Sequence, residues 1–116
     1  MKKINSLLII LACTFIVSCE SNTYNDIAVI TTNPTYTKNI APVIKANCIS
    51  CHAGNSQSPN LETYTEVKEA TQIGDLICRI DQTPGLACGR VMPQSGPMSK
   101  QTINMIILWN SQGCIN

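Results

Sequence analysis

The apolar residues of this chain form one continuous run near its start and, further on, several short groups with helical spacing. Residues 4–17 are mostly apolar and contain no charge, and Lys2 and Lys3 precede them. The run is shorter than the ~20 apolar residues of a membrane-spanning helix. A basic start followed by a short apolar run is typical of a signal peptide, so we expect residues 1–18 to be removed on export.

The apolar run ends at Cys19, in the tetrapeptide I-V-S-C, and Glu20 begins a polar region. This tetrapeptide resembles a bacterial lipobox, in which the chain is cut before the cysteine and the cysteine receives a lipid. It predicts a lipid anchor at Cys19; the alternative is an ordinary signal peptide that leaves Cys19 unmodified. Either product lies outside the reducing cytoplasm, and Cys13 is lost with the signal.

Beyond residue 34 the apolar residues recur at the spacing of amphipathic helices. A first helix from Ile40 to about Cys48, with Asn39 as its N-cap, would place three apolar residues on one face: Ile40, Val43 and Ile44. Pro42 falls in the first turn of this helix, where its missing N–H costs little.

Two short helices are predicted next. Thr63 and Glu66 fit a capping box, which predicts a helix from Tyr64 to about Gln72. Gly74 interrupts this helix. Asp75 can cap a third helix that turns three apolar residues inward: Leu76, Ile77 and Ile80.

The last predicted helix is apolar nearly all round. Ser99 caps it, it runs from Lys100 to about Gln112, and Gly113 ends it. Such a helix is expected to pack on two sides. The preceding stretch, Asp81–Pro97, is rich in glycine and proline, and an irregular segment of this length within a small domain is typical of a functional loop.

These elements predict an all-α protein with a single folded domain. Residues 19–34 are rich in Ser, Asn and Thr and are expected to tether the domain, residues 35–116, to its anchor. Removal of residues 1–18 takes two of the eight basic residues and none of the seven acidic ones, so the net charge changes from +1 to about −1. With no basic run, nucleic acid is excluded as a partner.

Residues 48–52 read C-I-S-C-H, and His52 is the only histidine in the chain. C-x-x-C-H is the signature of covalent c-type haem attachment: the two thiols form thioethers and the histidine binds the iron. A thioredoxin-like dithiol would instead follow a strand, and a zinc site would need a second ligand pair at matching spacing, such as another C-x-x-C. We therefore expect one haem c bound through Cys48, Cys51 and His52.

The order of elements resembles the small monohaem cytochrome c fold, with three to four short helices around the haem. The resemblance extends over residues 35–116 and rests on the segment Y-T-K-N-I-A-P-V-I and on G-P-M-S at the start of the last helix. It implies that the first helix and Trp109 wall the haem, that Pro93 and Gly96 shape the ligand loop, and that a Met-Pro pair supplies the second axial ligand.

Three methionines remain after signal removal. Met105 lies within the apolar last helix and is expected to be a core residue. Met92 precedes Pro93, lies forty residues after His52, and matches the Met-Pro position of the family. Met98 is the alternative ligand, but it can instead staple the last helix by packing on Ile103. We expect Met92 to bind the iron; a site with an open distal face is the third alternative.

Three cysteines lie outside the haem motif and allow three pairings. Cys78 and Cys88 flank a short turn just ahead of Met92, so a disulfide between them would restrain the ligand loop and stabilise the fold by about 2–3 kcal/mol. Cys114 is then left over, either packed, free or paired between molecules.

The implied function is single-electron transfer outside the cytoplasm, without bond chemistry of its own. The expected partners are a membrane, through the lipid, and redox proteins that donate and accept electrons, either as free partners or as one fixed enzyme. Without a lysine-rich face, docking is expected to depend little on charge. The alternative is a haem protein with an open distal site that senses a ligand or acts as a peroxidase.

Overall fold

A computed structural model describes residues 31–82 and 88–116. Within these residues the chain is all-α, as predicted, and contains no strand. The predicted signal peptide, the lipid anchor at Cys19 and most of the tether lie outside the described residues. Among the described helices, none is long and apolar enough to cross a membrane.

The first helix, α1, begins earlier than predicted. A π-helical turn, Tyr36–Ile40, leads directly into an α-helical segment, Ala41–Asn47. Thr35 is the N-cap: its hydroxyl accepts from the Lys38 N–H at 3.4 Å, and its own N–H donates to the Asn39 side-chain oxygen at 3.0 Å. The prediction of Asn39 as N-cap was therefore wrong, because Asn39 closes the cap from inside the helix.

Helices α2, Tyr64–Gln72, and α4, Lys100–Ser111, lie where the sequence predicted them. Their caps are also confirmed: Thr63 and Glu66 form both bonds of a capping box, and the Ser99 hydroxyl accepts from the Thr102 N–H. Local side-chain bonds of this kind satisfy the N–H groups that a helix start leaves unpaired. The sequence therefore specified these two starts almost completely.

Helix α3, Leu76–Asp81, is confirmed as an element, and Asp75 occupies its N-cap position as predicted. The Asp75 side chain makes no capping bond; one of its carboxylate oxygens lies 2.6 Å from Nε of Arg79. The ion pair joins residues four apart, which are neighbours on a helix surface.

Helix α4 packs against both α2 and α3. Its residues Ile103, Ile106 and Trp109 are buried, and Met105 is partly buried against the same core, as predicted. The other helices complete the core with aliphatic side chains: Ile40, Ile44, Val67, Leu76 and Ile80.

The C-terminal residues fasten α1 and α2 to the end of α4. The Ile115 carbonyl accepts from the Tyr36 N–H and from the Trp109 indole N–H, both at 2.8 Å. The Tyr64 hydroxyl donates to the Cys114 carbonyl at 2.7 Å. These bonds satisfy polar groups at a place where three elements meet, so they fix how α1 lies on the bundle.

Cys114 is packed rather than available for pairing. It is fully buried and unpaired, and its sulfur lies 3.7 Å from the side-chain oxygen of Asn110. Burial raises the pKa of the Cys114 thiol, while the charge of Lys68 opposes the rise. A neutral buried thiol behaves as a small apolar side chain, so Cys114 contributes to the core.

Candidate cofactor site

One cleft gathers the residues that the sequence singled out. Cys48, Cys51 and His52 line it from one side, and Met92 and Met98 line it from the loop between α3 and α4. Its volume is about 200 Å³. Aliphatic side chains form much of the remaining lining: Val43, Ile44, Leu61, Leu76, Ile80 and Ile106. The lining of the cleft thus combines nitrogen and sulfur side-chain atoms with largely apolar side chains.

The C-x-x-C-H motif forms a tight turn at the end of α1. The Cys48 N–H donates to the Ile44 carbonyl at 2.8 Å and so continues the helix. The Cys48 carbonyl then accepts from the Cys51 and His52 N–H groups, at 3.1 and 2.9 Å. Because all three side chains leave one turn, they are held close together at the mouth of the cleft.

The two motif thiols are not paired with each other. Cys48 is half-buried and Cys51 is exposed. Burial raises the pKa of the Cys48 thiol above its usual range. Both sulfurs are therefore free to form bonds with a group that enters the cleft.

The His52 side chain is held by a hydrogen bond at one of its two ring nitrogens. Its Nδ1 lies 2.8 Å from the Pro59 carbonyl oxygen, and the His52 carbonyl accepts from the Leu61 N–H at 2.8 Å. A carbonyl can only accept, so Nδ1 carries the hydrogen, and in the neutral imidazole Nε2 is then the nitrogen with the lone pair. A backbone partner on one ring nitrogen is the usual way in which proteins orient a metal-binding histidine.

A polar network supports the loop that carries Pro59. The Asn60 side-chain N–H donates to one carboxylate oxygen of Glu66 at 2.7 Å and to one of Glu62 at 3.0 Å. Glu62 also accepts from the Gly54 N–H at 2.9 Å. The sequence indicated Glu66 only as part of a cap, and nothing in the local pattern pointed to Asn60, since the network joins the loop to the start of α2.

The donors from Asn60 and Thr63 also stabilise the ionised form of Glu66. The side-chain bond from Asn60, followed by the bonds from Thr63, lowers the pKa of the Glu66 carboxyl. The backbone N–H of Gly54, followed by Asn60, lowers the pKa of Glu62. Hydrogen bonds to a carboxylate favour its charged form, so the loop beside His52 is tightest when both groups are ionised.

Both candidate methionines lie in the lining of the cleft. Met92 is partly buried, and its N–H donates to the Arg79 carbonyl at 3.0 Å. Met98 is also partly buried and packs against the core just before the α4 cap. Gly96 closes a turn by donating to the Pro93 carbonyl at 3.2 Å, with φ +137°.

Cys78 and Cys88 are joined by a disulfide in the structure, with Cα atoms 5.8 Å apart. This Cα separation lies within the range of native disulfides. The residues between 82 and 88 lie outside the described part of the chain. The bond attaches the segment that leads to Met92 to helix α3.

Trp109 does not line the cleft, contrary to the prediction that it walls the site. It is fully buried, its indole N–H binds the Ile115 carbonyl, and its ring lies 6.1 Å from that of Tyr36. Ile106, one helical turn earlier, is the α4 residue that lines the cleft, and α1 contributes Val43, Ile44 and Asn47 as expected. The hydrogen bond to Ile115 explains the difference, because it turns the indole towards the chain terminus.

The sequence did not identify two of the residues that line the cleft. Among the described residues, Asp75 and Arg79 are the only charged side chains in the lining, and they bind each other. Their spacing of four along the chain signals an ion pair on a helix, but nothing in the sequence shows which way the pair faces.

The donor set fits a haem better than a bare metal ion. Within residues 31–82 and 88–116, no group of three or more His, Cys, Asp or Glu side chains could hold a metal by itself. The cleft instead offers one oriented imidazole, the thioether side chains of the loop between α3 and α4, and two unpaired thiols. A porphyrin supplies its own four equatorial nitrogens and needs only axial ligands and, in the c-type, two thiols.

Comparison of the chain with protein-family models, with curated proteins and with solved structures gives no match.

Proposed function

We propose that this chain is an exported c-type cytochrome of small all-α fold that carries single electrons outside the cytoplasm, held to a membrane by a lipid on Cys19. The observation that carries the proposal is the His52 orientation: Nδ1 is bound to the Pro59 carbonyl, and the side chain shares a cleft with two free thiols and two methionines. No other site chemistry on the described residues uses all of these groups together.

Each site residue has one role in this proposal. Cys48 and Cys51 would form the thioether bonds, His52 would bind the iron through Nε2, and Met92 would bind it from the loop between α3 and α4. When bound, haem supplies a one-electron iron couple, and the His–Met ligand pair raises its reduction potential. Pro59 fixes the imidazole ring, so this ligand keeps its position in both oxidation states.

The aliphatic wall of the cleft has a separate task. Side chains such as Ile44, Ile80 and Ile106 exclude water from the buried face of a planar cofactor. A dry, apolar shell keeps competing ligands away and tunes the potential through its low dielectric constant. The exposed position of Cys51 leaves the motif side of the cleft near the surface, where electrons can be exchanged with a partner.

The lining favours electron carriage over acid–base catalysis. The single imidazole is committed to ligation, and the two charged residues, Asp75 and Arg79, neutralise each other at 2.6 Å. A peroxidase or sensor would instead need an open distal face, and the two methionines that line the same cleft as His52 favour an occupied one.

The optical spectrum of the purified, exported protein tests the proposal. We expect a c-type pyridine haemochrome, which shows covalent attachment, and a ferric charge-transfer band at the red end of the visible range, which shows methionine ligation. A double Cys48→Ala, Cys51→Ala variant should lose the haem on acid extraction, whereas Cys114→Ala, which removes a thiol from the core, should keep it. Absence of covalent haem from the wild type overturns the proposal; strong carbon monoxide binding to its reduced form supports the open-site alternative.

A further inference from the structure

Helix α3 holds the segment before Met92 by three separate links. The disulfide joins Cys78 to Cys88, the Arg79 carbonyl accepts from the Met92 N–H at 3.0 Å, and the Arg79 side chain reaches the Arg90 carbonyl. One link is a covalent bond, one is a backbone hydrogen bond and one is a side-chain hydrogen bond. All three start from Cys78 or Arg79, which are consecutive residues of α3. This part of α3 therefore sets where the segment 88–92 lies.

The guanidinium of Arg79 spans a corner between α3 and that segment. Its Nε lies 2.6 Å from the Asp75 carboxylate, and its Nη1 lies 3.4 Å from the Arg90 carbonyl oxygen. Both terminal nitrogens also lie over Gly89, where an added Cβ would come within 3.5 Å of them. Gly89 has φ +79°, a conformation that favours glycine. One planar group thus binds both Asp75 and Arg90 and occupies the space beside Gly89.

We propose that Arg79 is a positioning residue for the Met92 ligand, an inference that rests on the proposed function. The backbone bond to Met92 fixes one atom and still lets the segment pivot about it. The guanidinium blocks that pivot because it binds the carbonyl two residues earlier and fills the space beside Gly89, and Asp75 holds the guanidinium in place. An iron–thioether bond is weak, so its occupancy depends on how firmly the methionine is held opposite the iron.

Lysine is not equivalent to arginine at this position. An ammonium group can reach the Asp75 carboxylate but is a single point, whereas the arginine fork presents donors in two directions. Arg79→Lys should therefore keep the ion pair within α3 and lose the contact with Arg90. Its effect on Met92 should approach that of Arg79→Met, which keeps the apolar stem and loses all donors.

Binding of imidazole to the ferric holoprotein measures how firmly the methionine is held, since imidazole must first displace it. Loss of a charge-assisted hydrogen bond should raise the apparent imidazole affinity of Arg79→Met by about tenfold, because the fraction of molecules with a vacated ligand position rises. The red charge-transfer band should weaken in the same variant. Unchanged imidazole affinity in both Arg79→Met and Arg79→Lys overturns the inference.

A double-mutant cycle separates positioning from a simple widening of the cleft, which Arg79 also lines. In a Met92→Ala background the side chain that Arg79 positions is absent, so Arg79→Met should leave imidazole affinity within about twofold of the single Met92 variant. An additive tenfold gain in that background means that Arg79 only restricts access, and it overturns the inference. Persistence of the charge-transfer band in Met92→Ala overturns it too.

Lys100→Gln is the matched control for loosening of α3. It breaks the other ion pair of this helix, in which Lys100 Nζ lies 2.5 Å from an Asp81 oxygen, and leaves the links to residues 88–92 intact. Imidazole affinity should remain that of the wild type, and an equal gain in this control overturns the specific role of Arg79. A missing c-type haemochrome in the wild type would contradict the proposed function itself, so the two failures are distinguishable.

Discussion

At the scale of single residues, the proposed function depends on which methionine of the cleft would be the second iron ligand. Met92 and Met98 both line it, on the same loop and with similar partial burial. Their backbone contacts differ: the Met92 N–H donates to the Arg79 carbonyl, whereas Met98 directly precedes the Ser99 cap of α4. A residue at that place before a helix commonly packs on the first turn, which gives Met98 a structural task of its own.

Substitution of the two methionines should therefore have different effects. Met92→Ala should abolish the red charge-transfer band of the ferric protein and allow carbon monoxide to bind the reduced form. Met98→Ala should keep the band and lower the free energy of unfolding by about 1–2 kcal/mol, because a partly buried side chain is truncated. Optical spectra and denaturant titrations of the two variants check this.

Met105→Ala serves as a third, internal comparison. Met105 is partly buried on α4 but does not line the cleft. Met105→Ala should therefore lower the free energy of unfolding and leave the optical spectra of the ferric and the reduced protein unchanged. Retention of the band in Met92→Ala together with its loss in Met98→Ala would reverse the ligand assignment.

At the scale of elements, the start of α2 and the loop beside His52 form one unit. Glu66 accepts from the Thr63 N–H at 2.8 Å within the capping box and from Asn60 in the loop. The sequence predicted the first contact because a capping box is local and spans four residues. It could not predict the second, since Asn60 reaches Glu66 only after the loop has folded back on α2.

This unit predicts a dependence of stability on pH. The pKa of Glu66 is lowered in the folded state, so the stability that it contributes is fully present above its unfolded value, about 4.3. The contribution should be lost as pH falls below that value and through the folded pKa. The wild type should therefore be more stable than Glu66→Gln at pH 6, and the difference should shrink towards pH 3 in urea titrations.

Glu69→Gln controls for the change in net charge, since Glu69 lies on the same helix with its side chain exposed. Its stability should follow the wild type more closely than Glu66→Gln does across the same pH range. Parallel stability curves for the wild type and Glu66→Gln, with a constant gap between them, would contradict a linked carboxylate at the cap.

The disulfide gives a second test at this scale. A non-reducing peptide map of the oxidised protein should contain a Cys78–Cys88 crosslink. Replacement of both residues by serine should lower the free energy of unfolding by about 2–3 kcal/mol, because the bond closes a short loop. The variant should also bind imidazole more tightly than the wild type, since one link between α3 and Met92 is gone. A map that lacks the crosslink removes this pairing.

The helices and their caps could largely be predicted, because period and capping residues are local signals. The exceptions share a cause. Asn39 was expected to start α1, but Thr35 does so; Asp75 does lie at the N-cap position of α3, but its side chain binds Arg79 instead of a backbone N–H. In both cases a short polar side chain had two partners within four residues, and the local pattern does not say which one it takes.

At the scale of the whole molecule, the chain places an apolar cleft between a motif turn and a methionine loop and surrounds it with few charges. Trp109 was expected at the haem wall, yet it lies in the core, where it ties α4 to the C-terminal residues. The position of the Trp109 side chain depends on how α1 and α4 pack together, and no local sequence pattern indicates that packing. The cleft lining includes polar but uncharged side chains such as Ser50, Gln57, Gln94 and Ser95.

This lining predicts that electron exchange depends little on salt. Within residues 31–82 and 88–116, the only charges in the cleft lining, on Asp75 and Arg79, cancel each other, and the chain without residues 1–18 has a net charge of about −1. Electrostatic steering alters association rates by about 10–10³ and is screened at high salt. Self-exchange between oxidised and reduced copies, measured by NMR line broadening, should therefore change by less than about threefold between 0.02 and 0.5 M salt, below the effect of steering.

A variant with added charge at the cleft provides the comparison. Gln57→Lys combined with Gln94→Lys adds two positive charges to the lining, so two copies that approach through this face should repel each other. Its self-exchange should be slower than that of the wild type at low salt and recover at high salt, as screening removes the repulsion. If the wild type already shows a steep salt dependence, or the double variant matches it at low salt, then exchange does not take place through the uncharged mouth of this cleft.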